Sequence, residues 1–265
     1  MNRAIGLAAL TVLELPHEEQ IAVAAQAGYS HVGLRLVPVA GQPFHHPFDA
    51  ASVERRLADT GVKVLDVEVF RLTAETKVAD FEPVLASAAQ LRATEILVHG
   101  ADGVESRLIQ NFGRLCDLAG RYGLAANIEP MPWVEVSNIA KALRILEGAA
   151  RPNGGLLVDA IHFFRAGDSL EALAKLPRRF LRYMQLCDAP AERPSDLQEI
   201  IRQARSDRRF PGEGGLDLKG LIEALPERIP ASLEVPVSQK LAPLERARAA
   251  MAATKAILGL DEGAP

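Results

Sequence analysis

Leu156-Leu157-Val158-Asp159-Ala160-Ile161-His162 is a short apolar run that stops at a carboxylate, with an imidazole three residues further on. A strand buried on both faces reads as a continuous hydrophobic run. An ionisable group at its last position therefore marks the point where the strand leaves the core and a loop begins. The same pattern recurs in Ala126-Asn127-Ile128-Glu129-Pro130, in Tyr183-Met184-Gln185-Leu186-Cys187-Asp188 and in Ser232-Leu233-Glu234-Val235-Pro236. Four successive apolar segments each end in an oxygen-bearing side chain.

Outward from that stretch, strand-like and helix-like segments alternate along the whole chain. Strands are expected near 4–10, 31–36, 63–70, 94–100, 124–130, 154–160, 180–187 and 230–235. Helices are expected near 16–28, 49–61, 78–92, 104–122, 136–149, 169–176, 193–205 and 240–258. Gly28, Gly61 and Gly123 fall just past helix ends, where a left-handed residue is wanted, and Asp49, Asp80 and Ser169 are candidate N-caps. Strict β-α alternation implies parallel strands with right-handed crossovers. Eight such units in 265 residues point to an α/β fold with a single (β/α)8 TIM barrel over 1–259 and a frayed tail at 260–265. A doubly wound dinucleotide-binding sheet would show G-x-G-x-x-G after its first strand, and Leu10-Thr11-Val12-Leu13-Glu14-Leu15-Pro16 has no glycine loop.

Bulk properties narrow the function classes. Apolar residues make up 48% and charged residues 24%, the balance of a globular chain with a sizeable core. The net charge is −4 with Lys and Arg scattered, so neither nucleic acid nor an anionic membrane is an expected partner. Met1 to Leu7 runs straight into a strand-like segment without the apolar core and cleavage site of a signal peptide. Cys116 and Cys187 lack metal-type spacing, which suits a cytoplasmic setting and argues against a thiolate zinc site. The apolar outer faces of barrel helices suit a homo-oligomer.

Residues at the C-terminal ends of barrel strands face the mouth where barrel enzymes bind substrate. Glu129, Asp159, Gln185 and Glu234 close strands five to eight and so converge on one rim. Three carboxylates crowded into a half-buried mouth repel one another unless a cation neutralises them. An all-oxygen donor set favours a hard divalent metal, Mg²⁺ or Mn²⁺. Such an ion, bound to a ketone and a neighbouring hydroxyl, stabilises an enediolate after a carboxylate takes the adjacent proton. Around this rim, His162 and His99 are expected to contact substrate. Glu68 and Arg71, at the end of strand three, would orient a carboxylate or hydroxyl, with Arg35 in a similar position on strand two. An internal ion pair explains these groups equally well. Trp133, the only tryptophan, would shield the reaction from water. His45-His46 lies in a Pro-bounded loop.

Ile128-Glu129-Pro130, Val158-Asp159-Ala160-Ile161-His162, Arg208-Arg209-Phe210-Pro211-Gly212-Glu213-Gly214 and Leu233-Glu234-Val235-Pro236 resemble the xylose isomerase-like TIM barrels, the sugar phosphate isomerase and epimerase group. The resemblance implies that Glu129, Asp159 and Glu234 are metal ligands and that Glu129 and Glu234 form the proton-transfer pair. It also implies that His162 and Arg208 bind substrate. Many epimerases of the group place a histidine where this chain has Gln185. At that point Glu129-Pro130-Met131-Pro132-Trp133 and Gln185-Leu186-Cys187-Asp188-Ala189-Pro190 resemble bacterial 3-dehydroshikimate dehydratases, which also use a glutamine ligand.

The expected activity is therefore a divalent-metal-dependent isomerase or epimerase of a small polyhydroxy ketone or aldehyde. Two alternatives stand beside it: a metal-dependent dehydratase of the 3-dehydroshikimate or inosose type, and a non-catalytic sugar-binding barrel.

Overall fold

The computed structural model describes residues 3–39 and 46–260. Eight strands, β1 (Ile5–Leu7), β2 (His31–Arg35), β3 (Lys63–Leu72), β4 (Glu95–Gly100), β5 (Ala125–Glu129), β6 (Gly154–Asp159), β7 (Leu181–Leu186) and β8 (Ala231–Leu233), pair in sequence order. Every pairing is parallel, and β8 returns to β1, so the sheet closes. The helices are α1 (His17–Gln26), α2 (Ala50–Thr60), α3 (Glu82–Gln90), α4 (Glu105–Arg121), α5 (Ile139–Ala149), α6 (Ala160–Ala166), α7 (Leu170–Ala174), α8 (Leu197–Ser206), α9 (Leu218–Ala224) and α10 (Pro243–Leu258). No helix among the described residues is long and apolar enough to cross a membrane.

Side chains alternate along a strand, one set facing the helices and the other facing the barrel axis. The outward set packs against the helices as the main core, for example Val98, Ile128, Val158 and Met184. The inward set is mixed. Leu65, Val69, Leu97, Leu157 and Tyr183 form a small separate apolar cluster, and carboxylates and amides lie around it. Two glycines make room for that polar set. A Cβ on Gly33 would lie 2.7 Å from Asp66 Oδ1, and one on Gly155 would lie 2.3 Å from Asn127 Oδ1.

Local chemistry sets the element ends. Asp49 accepts hydrogen bonds from Ala51 N and Ser52 N at the start of α2, and Gly61 closes that helix at φ 72°. Ser169 caps α7 in the same way, whereas Asp80 lies in the first turn of a short 3₁₀ segment. Two helices were not expected from the sequence, α6 and α9. Each spans only seven residues, too few for a helical period to stand out from an apolar run. As a result His162 sits in the first turn of α6 rather than in a loop. β8 ends at Leu233, one residue short of Glu234, which the Glu234 N–H to Leu186 carbonyl bond still holds to β7. His45 and the 261–265 part of the expected tail lie outside the described residues. His46 Nε2 lies 3.1 Å from the Leu13 carbonyl oxygen.

Candidate metal centre and active site

Each candidate group reaches the barrel mouth from a strand end. Glu129 is the last residue of β5 and Asp159 the last of β6. Gln185, on β7, is in register with Asp159 of β6 and with Ser232 of β8. Asp159 does two jobs at once: its Oδ1 accepts the His162 N–H and caps α6, while its Oδ2 takes a guanidinium bond. Because the cap fixes the first turn of α6, it also brings the His162 ring back towards Glu129. Glu129, Asp159 and His162 each offer a ligand atom, and those atoms lie within 4.8 Å of one another. Sequence reasoning placed His162 as a substrate contact; the structure makes it a candidate ligand as well.

Arg208 joins Glu234 to this group. Its Nη1 is 2.6 Å from Asp159 Oδ2 and its Nη2 is 2.6 Å from Glu234 Oε2. A fastened turn aims it. Asp188 and Arg209 exchange two backbone hydrogen bonds, and the Asp188 carboxylate accepts from Ala189 N, Gly212 N and Leu216 N. Gly214 has to be glycine there, since a Cβ would fall 2.2 Å from Asp188 Oδ1. The 208–214 motif is thus a loop pinned to the end of β7.

Gln185 Nε2 donates to Glu234 Oε1 at 3.1 Å, and Gln185 Oε1 is buried with no partner among the described residues. His162 Nδ1 is likewise buried and unpartnered. A buried acceptor without a donor carries a desolvation cost. A divalent cation facing Glu129, Asp159, Glu234 and the Gln185 oxygen would remove that cost, and the donor chemistry fits a hard ion.

Burial dominates the electrostatics. It pushes Glu129 well above the usual carboxylate range, with the Asp159 charge adding to it. It pushes Glu234 up to about 8, against the pull of Arg208. At Asp159 burial also acts upward, but Arg208 and His162 outweigh it and the carboxyl is lowered. Desolvation holds His99 and His162 down at about 3, so both rings are neutral at ordinary pH.

The remaining candidates line the same cleft. His99 Nε2 meets Glu129 Oε2 at 2.8 Å. Glu68 pairs with Arg35, at 2.6 Å from Arg35 Nη2, and not with Arg71. The Trp133 ring stands edge-on to His162, with centroids 5.0 Å apart. Arg71 lines the cleft with no ion-pair partner among the described residues. Arg205 does the same, with its guanidinium 6.0 Å from the Trp133 ring centre. Sequence reasoning missed Arg205; its only signal is that it lies three residues before Arg208, in Arg202-Gln203-Ala204-Arg205 at the end of α8.

The profile of the xylose isomerase-like TIM barrel family matches residues 21–257. A 3-dehydroshikimate dehydratase of Pseudomonas aeruginosa is 26% identical over 252 residues, which cover 89% of this chain and 38% of the relative. An inosose isomerase of Bacillus subtilis is 28% identical over 115 residues, 43% of this chain and 39% of the relative. The matches therefore span about two-fifths of the length of these curated relatives. Among solved structures, the IolI protein with a bound zinc atom superimposes with a TM-score of 0.79 over 98% of this chain and 100% of its own, at 17% identity. That likeness shows a shared fold.

Proposed function

The chain belongs to the xylose isomerase-like TIM barrel family, and from that premise we propose that it is a divalent-metal-dependent isomerase or epimerase of a small polyhydroxy ketone or aldehyde. One observation carries the reading. Two buried glutamates with raised pKa values, Glu129 and Glu234, border one cleft and have Asp159 and Gln185 on the strands between them. Carboxyl groups whose pKa values approach neutrality exchange protons efficiently with carbon acids.

Glu129, Asp159, Gln185 and Glu234 would hold the ion, Mg²⁺ or Mn²⁺, with His162 beside them. When bound, it would polarise the substrate carbonyl and offset the charge that develops as the neighbouring C–H is lost. One glutamate takes that proton and the other returns it. Return to the adjacent carbon isomerises the substrate; return to the opposite face of the same carbon epimerises it. His99 steadies Glu129 through its Nε2 contact. Trp133 covers one side of the cleft and limits water. In D₂O, the metal-loaded protein should exchange the hydrogen next to the carbonyl of an inosose or ketose, read by NMR, and Glu129→Gln should abolish it. Absence of exchange across a panel of such substrates would sink the isomerase reading.

A second reading has its own observation. Arg71 and Arg205 present cationic groups to the cleft without ion-pair partners among the described residues, and guanidinium groups suit a carboxylate. 3-Dehydroshikimate carries a carboxylate and an inosose does not, which favours a dehydratase. Incubation with 3-dehydroshikimate would then produce the ultraviolet band of an aromatic acid, and no band would end this version.

A further inference from the structure

We infer that Arg165 is a positioning residue: from α6 its guanidinium grips both ends of the 190–203 segment and so holds Arg205 in the cleft beside Trp133. Its value to function rests on reading Arg205 as a substrate-facing group, but the placement itself can be tested without substrate.

Arg165 is 1% exposed and has no ion-pair partner among the described residues. Its Nε and Nη2 donate to Gln203 Oε1 at 3.3 and 3.0 Å, and Nη2 also donates to the Pro190 carbonyl at 2.8 Å. Taking a cation out of water is costly, and neutral acceptors return only part of that cost. What the planar fork supplies in exchange is direction, since it holds two acceptors in fixed places as an apolar filler cannot. The anchor is rigid at its own end: the Asp159 cap starts α6, and Gly167, at φ 75°, closes it. The segment it grips has little else to hold it, because every residue from Ala191 to Gln198 is exposed except half-buried Pro194.

At the far end, three consecutive residues of α8 act together. Gln203 takes the Arg165 fork, the Ala204 carbonyl accepts from Arg208 Nε at 2.7 Å, and Arg205 lines the cleft with its guanidinium 6.0 Å from the Trp133 ring centre. Buried Ile200 and Ala204 hold α8 to the barrel through apolar contact, which has no direction of its own. The Arg165–Gln203 bonds set the rotation of the helix, and with it where Arg205 points.

An arginine that only stabilises the fold and one that positions α8 differ in what their loss changes. Loss of the first lowers the melting temperature and leaves the Arg205 charge in place. Loss of the second moves that charge away from Trp133. Trp133 is the only tryptophan, so its fluorescence reports on this one place. A cation beside the ring draws in iodide and repels caesium, and the ratio of their quenching constants therefore reads the charge.

The test is iodide and caesium quenching of wild type, Arg165→Met, Gln203→Leu, Gln203→Glu and Arg205→Gln at constant ionic strength, with thermal unfolding of each. Arg165→Met and Gln203→Leu break the same contact from its two sides. Each should lower the iodide-to-caesium ratio by about 1.5-fold or more, as Arg205→Gln does, the effect of one screened charge at this distance. Gln203→Glu keeps the acceptor oxygen and should hold the wild-type ratio. Arg165→Met added to Arg205→Gln should lower the ratio no further. A wild-type ratio in Arg165→Met or in Gln203→Leu, whichever folds, overturns the inference whatever the melting temperature. So does a fall in Gln203→Glu equal to that in Gln203→Leu, and so does a wild-type ratio in Arg205→Gln, since Arg205 is then not held beside Trp133. Shikimate binding is read separately: wild type with no affinity for it removes the carboxylate role of Arg205 and leaves the placement to be decided by quenching.

Discussion

His99 Nε2 lies 2.8 Å from Glu129 Oε2. Burial holds the His99 pKa down at about 3, so the ring is neutral, and its Nε2-protonated tautomer would donate to Glu129. This bond fixes one oxygen of Glu129 and leaves Oε1 facing His162, 3.9 Å from its Nε2. His99→Ala should therefore lower kcat/KM or metal affinity by about 10–100-fold, while His99→Gln, which keeps an N–H donor, recovers part of the loss. Steady-state kinetics and metal titration of the two variants check this; equal defects in both would refute the donor role.

Gln185 Oε1 is buried with no partner among the described residues, which makes it the oxygen that the proposed centre would use. Gln185→Leu is similar in size and should leave the metal-free fold within about 1–2 kcal/mol of wild type, the cost of one lost hydrogen bond to Glu234. The rise in melting temperature on adding Mn²⁺ should shrink sharply. An undiminished rise would mean that Gln185 is not a ligand.

Arg71 and Arg205, proposed as carboxylate-binding groups of the cleft, can be tested with charged and neutral probes. Arg71→Gln and Arg205→Gln should each weaken binding of shikimate, an unreactive carboxylate ring, by about tenfold or more, the value of a charge-assisted hydrogen bond. Binding of inositol, its uncharged counterpart, should hardly change. Parallel losses for both probes would point to a structural defect in the cleft and not to charge recognition.

Asp66 is buried on the barrel axis side of β3, with Tyr183 Oη 3.4 Å from its Oδ2. Burial first, then the charges of Glu68, Glu234 and Glu95, raise its pKa well above 3.8. A carboxyl raised on folding contributes stability that is complete below its unfolded pKa and is lost as pH rises through the folded value. The loss runs at about 1.4 kcal/mol per pH unit across that window. Asp66→Asn does not titrate, so its melting temperature relative to wild type should increase from pH 5 to pH 8. A constant difference across that range would contradict this account.

Gly155 gives space to the side chains next to it. A methyl there would meet Asn127 Oδ1 and Arg182 Cδ, both at 2.3 Å. Asn127 is itself tied to Glu95, which Arg182 also holds. Gly155→Ala should destabilise the fold by about 1–3 kcal/mol through overpacking, measured by chemical denaturation.

The barrel and the rim residues were legible in the sequence because both follow from local rules. Period-two alternation places Glu129, Asp159 and Gln185 on the inward side at strand ends, and a parallel sheet puts those ends at one mouth. Glycines past helix ends and Asp49 before α2 marked boundaries in the same local way. The partners of these groups were not legible. Arg208 and Asp159 are 49 positions apart, and only the loop pinned by Asp188 brings them together. Arg35, and not Arg71, takes Glu68, because neighbouring β2 and β3 put those two residues in register. α6 is too short to show a period, so the ring of His162 reached the ligand cluster through a helix cap that sequence spacing did not reveal. Strand geometry, which repeats every two residues, determined from the sequence alone which groups arrive at the rim; tertiary structure decided which of them touch, since contacts across a closed barrel depend on register and loop anchoring.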